Sequence, residues 1–182
     1  MKVMIVGGGG REHAMLEHLR KSPRVDKIYA LPGNGGMQEH AVCVPIKATD
    51  LDGIVSFAVE QSIDFAVIGP DDPLIAGVCD RLRAAGIRCF GPSAAAAEIE
   101  GSKSFAKDLM KRYGIPTAGY EVFDSAASAY AYVRQAAFPL VVKADGPALG
   151  KGVIIAQTRE EAEHAIRAMM EENAFGASGS RI

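Results

Sequence analysis

From Met1 to about Ser93, short apolar runs alternate with stretches whose apolar residues recur at helical spacing. Lys2–Val6 reads as a strand and runs straight into four glycines, Gly7–Gly10. Arg11–Lys21 follows as a helix with Ala14, Met15 and Leu19 on one face, closed by Ser22-Pro23. Lys27–Ala30 is a second strand, leading into the loop Pro32–Gly36. Ala41–Ile46 is a third, with Val42 and Val44 suited to a pleated surface. Leu51, Ile54, Val55 and Ala58 mark a helix capped by Thr49 or Asp50, with Asp52 in its positive first turn. Phe65–Ile68 is a strand stopped by Gly69-Pro70. The helix beyond carries Leu74, Ile75, Val78, Leu82 and Ala85 on one side, and Arg88–Phe90 is a short strand before Gly91-Pro92-Ser93 opens another helix. This is the rhythm of an α/β domain, an open and mainly parallel sheet with helices on both faces. Ligands of such sheets gather at the C-terminal ends of the strands, here Gly7–His13, Pro32–Gly36 and Gly69–Pro73.

The pattern changes near Gly101, where a second, α+β unit is expected to begin, dividing the chain into 1–101 and 102–182. Ser102–Tyr113 reads as a helix with Phe105, Leu109 and Tyr113 on one face, stopped by Gly114-Ile115-Pro116. A strand near Tyr120–Phe123, a helix at Ser125–Gln135 and a strand at Leu140–Ala144 follow. The glycine-rich loop Gly146–Gly152 leads into a strand at Val153–Ala156, which suggests an antiparallel hairpin backed by helices. The last helix opens on a capping box, Thr158 to Glu161, and buries Ala162, Ala165, Ile166, Met169 and Met170.

Composition narrows the classes. The 182 residues carry 20 Lys+Arg against 22 Asp+Glu, a net charge of −2, with 48% hydrophobic and 23% charged residues. These are the proportions of a globular protein rather than a disordered one. No basic run offers a footprint for nucleic acid, and no apolar stretch approaches the roughly 20 residues that span a bilayer. Val3–Val6 is too short for a signal peptide. Cys43, Cys79 and Cys89 are odd in number and widely spaced, which fits reduced thiols and a cytoplasmic location.

Two glycine loops carry the candidate chemistry. Gly7–Ala14, GGGGREHA, lies at a strand-to-helix turn, where backbone N–H groups and the helix N-terminus favour an anion such as phosphate. A dinucleotide fingerprint would need Gly or Ala where Glu12 stands, and the second strand ends Ala30-Leu31-Pro32 without a ribose-binding acid. The triplet Arg11-Glu12-His13 adds charged and titratable groups at the same mouth. The second loop, Lys143 to Gly152, is not a P-loop: three residues rather than four separate Gly146 from Gly150, and Gly152 follows Lys151 where Ser or Thr is required. Its glycines can still fold N–H groups over phosphates, with Lys143 and Lys151 supplying charge. Asp71-Asp72 could hold sugar hydroxyls or a cation. His18 and His164 read as solvated, and no His/Cys cluster has zinc spacing.

Together these segments resemble the phosphoribosylamine–glycine ligase (glycinamide ribonucleotide synthetase) family of ATP-grasp enzymes. The matching stretches are GGGGREHA at 7–14, PGNGG at 32–36, IGPDDPL at 68–74, FGPSAAAAEIEGSKSFAKD at 90–108, GIPTA at 114–118, KADGPALGKGV at 143–153 and NAFGASGSRI at 173–182. The resemblance implies a Rossmann-like pre-ATP-grasp domain followed by the beginning of an ATP-grasp domain. It implies ATP-driven joining of 5-phosphoribosylamine to glycine, with Mg²⁺ or Mn²⁺ as metal, in purine biosynthesis.

On that resemblance ATP would be held by Lys103, Lys143, Gly146, Gly150, Lys151 and Gly152. The phosphoribosylamine would be held by Gly8, Gly9, Gly10, Arg11, Glu12, His13, Gly33, Asn34, Gly69 and Asp71. Gly8 stands where the family more often has Asn, Asp71 where it often has Glu, and Pro147-Ala148-Leu149 where Leu-Ala-Ala is commoner. The family continues past position 182 into its adenine-gripping strand and metal ligands. The 182 residues are therefore expected to be an N-terminal portion, inactive alone and with no catalytic or metal-binding residue of its own. A monomer is the default oligomeric state. A non-catalytic module that binds a phosphorylated metabolite and a nicotinamide-dependent oxidoreductase are the alternative readings.

Overall fold

The computed structural model describes residues 1–148 and 151–182 and divides into two compact units, Met1–Ala97 and Glu98–Ile182. The first is built on a five-stranded parallel sheet. Its strands are β1 (Lys2–Gly7), β2 (Lys27–Pro32), β3 (Val42–Cys43), β4 (Phe65–Ile68) and β5 (Arg88–Phe90), in the order β3-β2-β1-β4-β5. β1 is central, so Val3, Met4, Ile5 and Val6 are all buried, as parallel strands covered on both faces must be. Met4 and Val6 face Ile54, Ala58, Val78 and Leu82; Val3 and Ile5 face Leu16 and Met37.

The helices of this unit are α1 (Gly10–Leu19), α2 (Leu51–Glu60), α3 (Asp71–Ile75), α4 (Val78–Ala84) and α5 (Ala94–Gly101), the last running from the first unit into the second. Asp50 is the cap of α2, its Oδ1 accepting from Gly53 N–H at 2.9 Å. Three expectations need correction. α1 buries Glu12 and Leu16 and leaves Ala14 exposed, because a carboxylate takes part of the inward face. The single helix expected beyond Pro70 is two, α3 and α4, broken where Gly77 takes a left-handed φ of +87°. The strand at 41–46 shrinks to Val42–Cys43; Pro45, with no N–H, stops the ladder after Val44 N–H bonds to Ala30 C=O.

The thiols are free, and Cys79 is buried. Burial first, and then a hydrogen bond with Cys89, pushes the Cys79 thiol up to about 12. At pH 8 it is therefore far poorer in thiolate than an ordinary cysteine. A disulfide-exchange reagent should therefore spare Cys79 in the native protein and label it only on unfolding, which labelling followed by peptide mass mapping checks.

The second unit contains α6 (Lys103–Arg112), α7 (Ala126–Val133), the antiparallel hairpin β6 (Leu140–Lys143) and β7 (Val153–Ala156), and α8 (Arg159–Ile166), which continues as a π turn at Arg167–Glu171. Val142, Ala144 and Ala156 pack against Ala162, Ala165, Ile166 and Met169 of the last helix, with Met170 half-buried beside them. Thr158 Oγ1 caps α8 at Glu161 N–H, while the Glu161 carboxylate reaches Gln157 N–H at 2.7 Å, one residue before the position a strict capping box uses. The strand expected at Tyr120–Phe123 is not formed. There Phe123 exchanges two backbone bonds with Ile182, at 3.0 and 3.1 Å, and no longer ladder follows among the described residues.

Candidate functional site

In the first unit the mouth lies at the C-terminal ends of β1, β2 and β4. β1 ends on Gly7 at φ +122°, a conformation that favours glycine. Gly33 N–H bonds to Gly7 C=O at 3.2 Å, so the first two loops are tied together. Asn34 completes the tie. Its Nδ2 donates to Gly8 C=O at 2.9 Å, and its Oδ1 accepts from Met37 N–H at 3.1 Å, capping the 3-10 turn Gly35–Glu39. The His13 ring stands over Gly36: a Cβ there would lie 2.6 Å from the ring's Cε1.

Glu12 is turned inward at this mouth. It is 3% exposed, and its Oε2 accepts from Gly9 N–H at 2.6 Å. Its side chain fills the space between the ends of β1 and β4. A Cβ on Gly69 would stand 2.5 Å from Glu12 Cγ and 2.6 Å from its Cδ, and one on Gly7 2.6 Å from Cγ. Both Glu12 and Gly69 are among the ten expected substrate residues. Glu12 is a buried brace, and Gly69 is the space it occupies. Gly9 has its N–H already bonded, which leaves the first-turn N–H groups of Gly10 and Arg11 to offer an anion. Arg11 is exposed beside them, Gly33 holds a left-handed φ of +70°, and Asp71 is exposed in the first turn of α3.

In the second unit Lys103 and Lys143 line one cavity of about 620 Å³, between α6, β6 and the segment 118–123. Asp145 organises its end. Its Oδ1 accepts from Ser104 N–H at 2.5 Å, its Oδ2 from Ser102 Oγ at 3.0 Å, and its C=O from Lys103 N–H at 3.0 Å. A carboxylate there satisfies N-terminal donors of α6 and complements its positive end. Lys103 Nζ consequently reaches the root of the glycine loop, donating to Gly146 C=O at 3.0 Å. Lys143 is on the opposite wall and solvent-exposed, and among the described residues no hydrogen bond or ion pair holds its Nζ.

The rest of the loop is less open than the sequence suggests. A Cβ on Gly146 would meet Ser178 Oγ at 2.7 Å, and that hydroxyl donates to Pro147 C=O. Gly152 is buried, its C=O accepting from Ala144 N–H at 2.8 Å, with Ala148 Cβ 2.5 Å from where its own Cβ would be. It closes the hairpin. Lys151 is exposed outside the cavity, and Gly150 lies outside the described residues. The sequence reading missed Asp145 and Ser178, although an acid between the lysine and the glycine of KADG was a visible signal. It also missed Lys107, which lines the cavity but is spent on Thr117 Oγ1 and Ala118 C=O.

Among the described residues no group of three or more His, Cys, Asp or Glu side chains could hold a metal ion, so the Mg²⁺ or Mn²⁺ implied by resemblance finds no fit here. No described helix is long and apolar enough to cross a membrane.

Comparison with known proteins places these features. Residues 1–100 match the model described as phosphoribosylglycinamide synthetase, N domain, and residues 101–182 that described as phosphoribosylglycinamide synthetase, ATP-grasp (A) domain. The chain is 50% identical over 184 aligned positions to the phosphoribosylamine–glycine ligases of Xylella fastidiosa and Vibrio cholerae. It is wholly covered by each match and spans 43% of the length of each relative. The crystal structure of the phosphoribosylamine–glycine ligase from Thermotoga maritima superposes with a TM-score of 0.78 at 29% identity, over 97% of this chain and 41% of that one. A biotin carboxylase from Campylobacter jejuni has the same TM-score at 19% identity, covering 97% and 43% of the two chains, a likeness of fold alone.

Proposed function

Because the chain belongs to the phosphoribosylglycinamide synthetase family, we propose that it supplies the substrate domain and the first part of the nucleotide site of an ATP-dependent ligase joining 5-phosphoribosylamine to glycine. What supports this reading above all is that Lys103 and Lys143 line one cavity at the root of a glycine loop. In the reaction a glycine carboxylate oxygen bonds to the γ-phosphorus of ATP as the bond to ADP breaks. The amine of phosphoribosylamine then attacks the acyl carbon, phosphate leaves, and one proton is released. Phosphoryl transfer of this kind depends on positioning and charge neutralisation. Two ammonium groups at the triphosphate meet that need, the Lys103 ammonium held at Gly146 C=O and Lys143 carried on the β6–β7 ladder with its ammonium free to reach an anion. Gly10 N–H, Arg11 N–H and the Arg11 guanidinium would receive the ribose phosphate at the positive end of α1.

The test is a chimera in which these 182 residues replace the matched part of the Vibrio cholerae relative. Phosphate release should require ATP, glycine and phosphoribosylamine together, and the 182-residue chain alone should release none. A folded, ATP-binding chimera that releases no phosphate with both substrates present, or releases it equally without glycine, would overturn the reading.

A further inference from the structure

Two of the three thiols meet in the first unit. Cys79 lies on the buried side of α4, and Cys89 is the middle residue of β5, paired with Ala66 of β4. Cys89 Sγ donates to Cys79 C=O at 3.6 Å, and the two thiols are hydrogen-bonded to each other. Their surroundings differ. Cys79 is fully buried: a Cβ on Gly91 would stand 2.6 Å from Cys79 Sγ and 2.8 Å from Leu74 Cδ2, so its outer side is walled off. Cys89 is half-buried on β5, the last strand in the sheet order. Cys43 is engaged elsewhere, its Sγ donating to Asn34 C=O at 3.6 Å.

We propose that Cys79 and Cys89 are a peroxide-reactive dithiol, in which a hydroperoxide oxidises Cys89 first and Cys79 then closes a disulfide with it. The Cys89 thiolate attacks one peroxide oxygen, an S–O bond forms, the O–O bond breaks and hydroxide leaves, giving a sulfenic acid. The Cys79 sulfur then bonds to the Cys89 sulfur, the S–O bond breaks, and the departing hydroxyl takes the Cys79 proton away as water. Two thiols and one hydrogen peroxide thus become one disulfide and two waters; the sulfurs give up two electrons and the peroxide oxygens gain them. The order follows from access and charge. A hydroperoxide, little larger than water, suits a half-buried thiol better than a bulky disulfide reagent does. Cys79 is held protonated by burial first, then by its hydrogen bond with Cys89 and the negative charge Cys89 can carry. A sulfenic acid is uncharged, so the first oxidation removes that charge and readies Cys79 to attack. Pairing also limits damage, since an unresolved sulfenic acid goes on to sulfinic acid, whereas thiol reductants reverse a disulfide.

The experiment treats the native 182-residue chain with hydrogen peroxide, unfolds it in an alkylating reagent and maps the peptides by mass. Without peroxide all three cysteines should alkylate. After peroxide, Cys79 and Cys89 should appear as one cross-linked pair, lighter by roughly 2 Da and restored by a thiol reductant, while Cys43 still alkylates. Cys79→Ala removes the resolving thiol, and Cys89 should then accumulate as sulfinic acid about tenfold or more above the parent. If that variant does not fold, the peptide map of the unaltered chain decides. Three results would overturn the proposal: Cys79 and Cys89 still alkylating after peroxide, Cys89 sulfinic acid forming in the parent without a cross-link, or a cross-link that joins two copies or takes in Cys43. No turnover is measured and no step draws on the ligase reading, so the two stand or fall separately.

Discussion

Replacing Asp145 by alanine is expected to destabilise the second unit by about 2–3 kcal/mol, since hydrogen bonds to a charged acceptor contribute about 1.5–3 kcal/mol and helix caps about 1. The carboxylate receives Ser104 N–H and Ser102 Oγ, so alanine leaves two donors at the N-terminus of α6 without a partner. For a unit of this size the melting temperature should fall by roughly 10–20 °C. The same change frees the turn that carries Lys103, and ATP affinity should fall about tenfold even though Asp145 is itself an anion beside an anionic ligand. Asp145→Asn keeps an acceptor for Ser104 N–H and should lose about half as much. Thermal melts and ATP titrations of the two variants check both effects. An alanine variant as stable as the parent would remove Asp145 from the account.

Gly69→Ala should destabilise the first unit by about 2–3 kcal/mol, in the range for forcing a methyl group into filled space. The methyl would overlap the Glu12 side chain, which is buried and fixed at Gly9 N–H. The diagnostic is the cycle with Glu12→Ala. That substitution alone should lose about 1 kcal/mol with the Gly9 hydrogen bond. In its background Gly69→Ala should lose less than about 0.5 kcal/mol, because the methyl then enters the space the carboxylate left. A coupling of about 2 kcal/mol by denaturant unfolding is the expected result. Simple additivity would show that Glu12 does not brace the ends of β1 and β4.

The sequence made some elements plain for a physical reason. β4 stops at Gly69-Pro70 and β5 at Gly91-Pro92, and their observed bounds are those the pattern predicts. Lys143 was legible as charge beside the second glycine loop, but Lys103 only through resemblance, since two lysines 40 residues apart carry no spacing signal. What hydropathy hid is instructive. Glu12 is buried because Gly7 and Gly69 leave room for it, and no apolar count finds a buried carboxylate. Gly77 sits inside an apolar repeat that continues across it, yet its left-handed φ ends α3 and restarts the chain as α4. Tyr120–Phe123 has the composition of a strand but, among the described residues, its backbone bonds only to Ile182. Strand formation there depends on a neighbour, which local sequence does not report.

The central claim is that Lys103 and Lys143 grip one triphosphate. Titrating ATP into the chimera and into its Lys103→Met and Lys143→Met variants by calorimetry tests it most directly. Each variant should lose about 2 kcal/mol of binding, roughly thirty-fold, with AMP affinity changed far less because the lost contacts lie beyond the α-phosphate. Variants that fold as the parent does and bind ATP equally well would contradict the account.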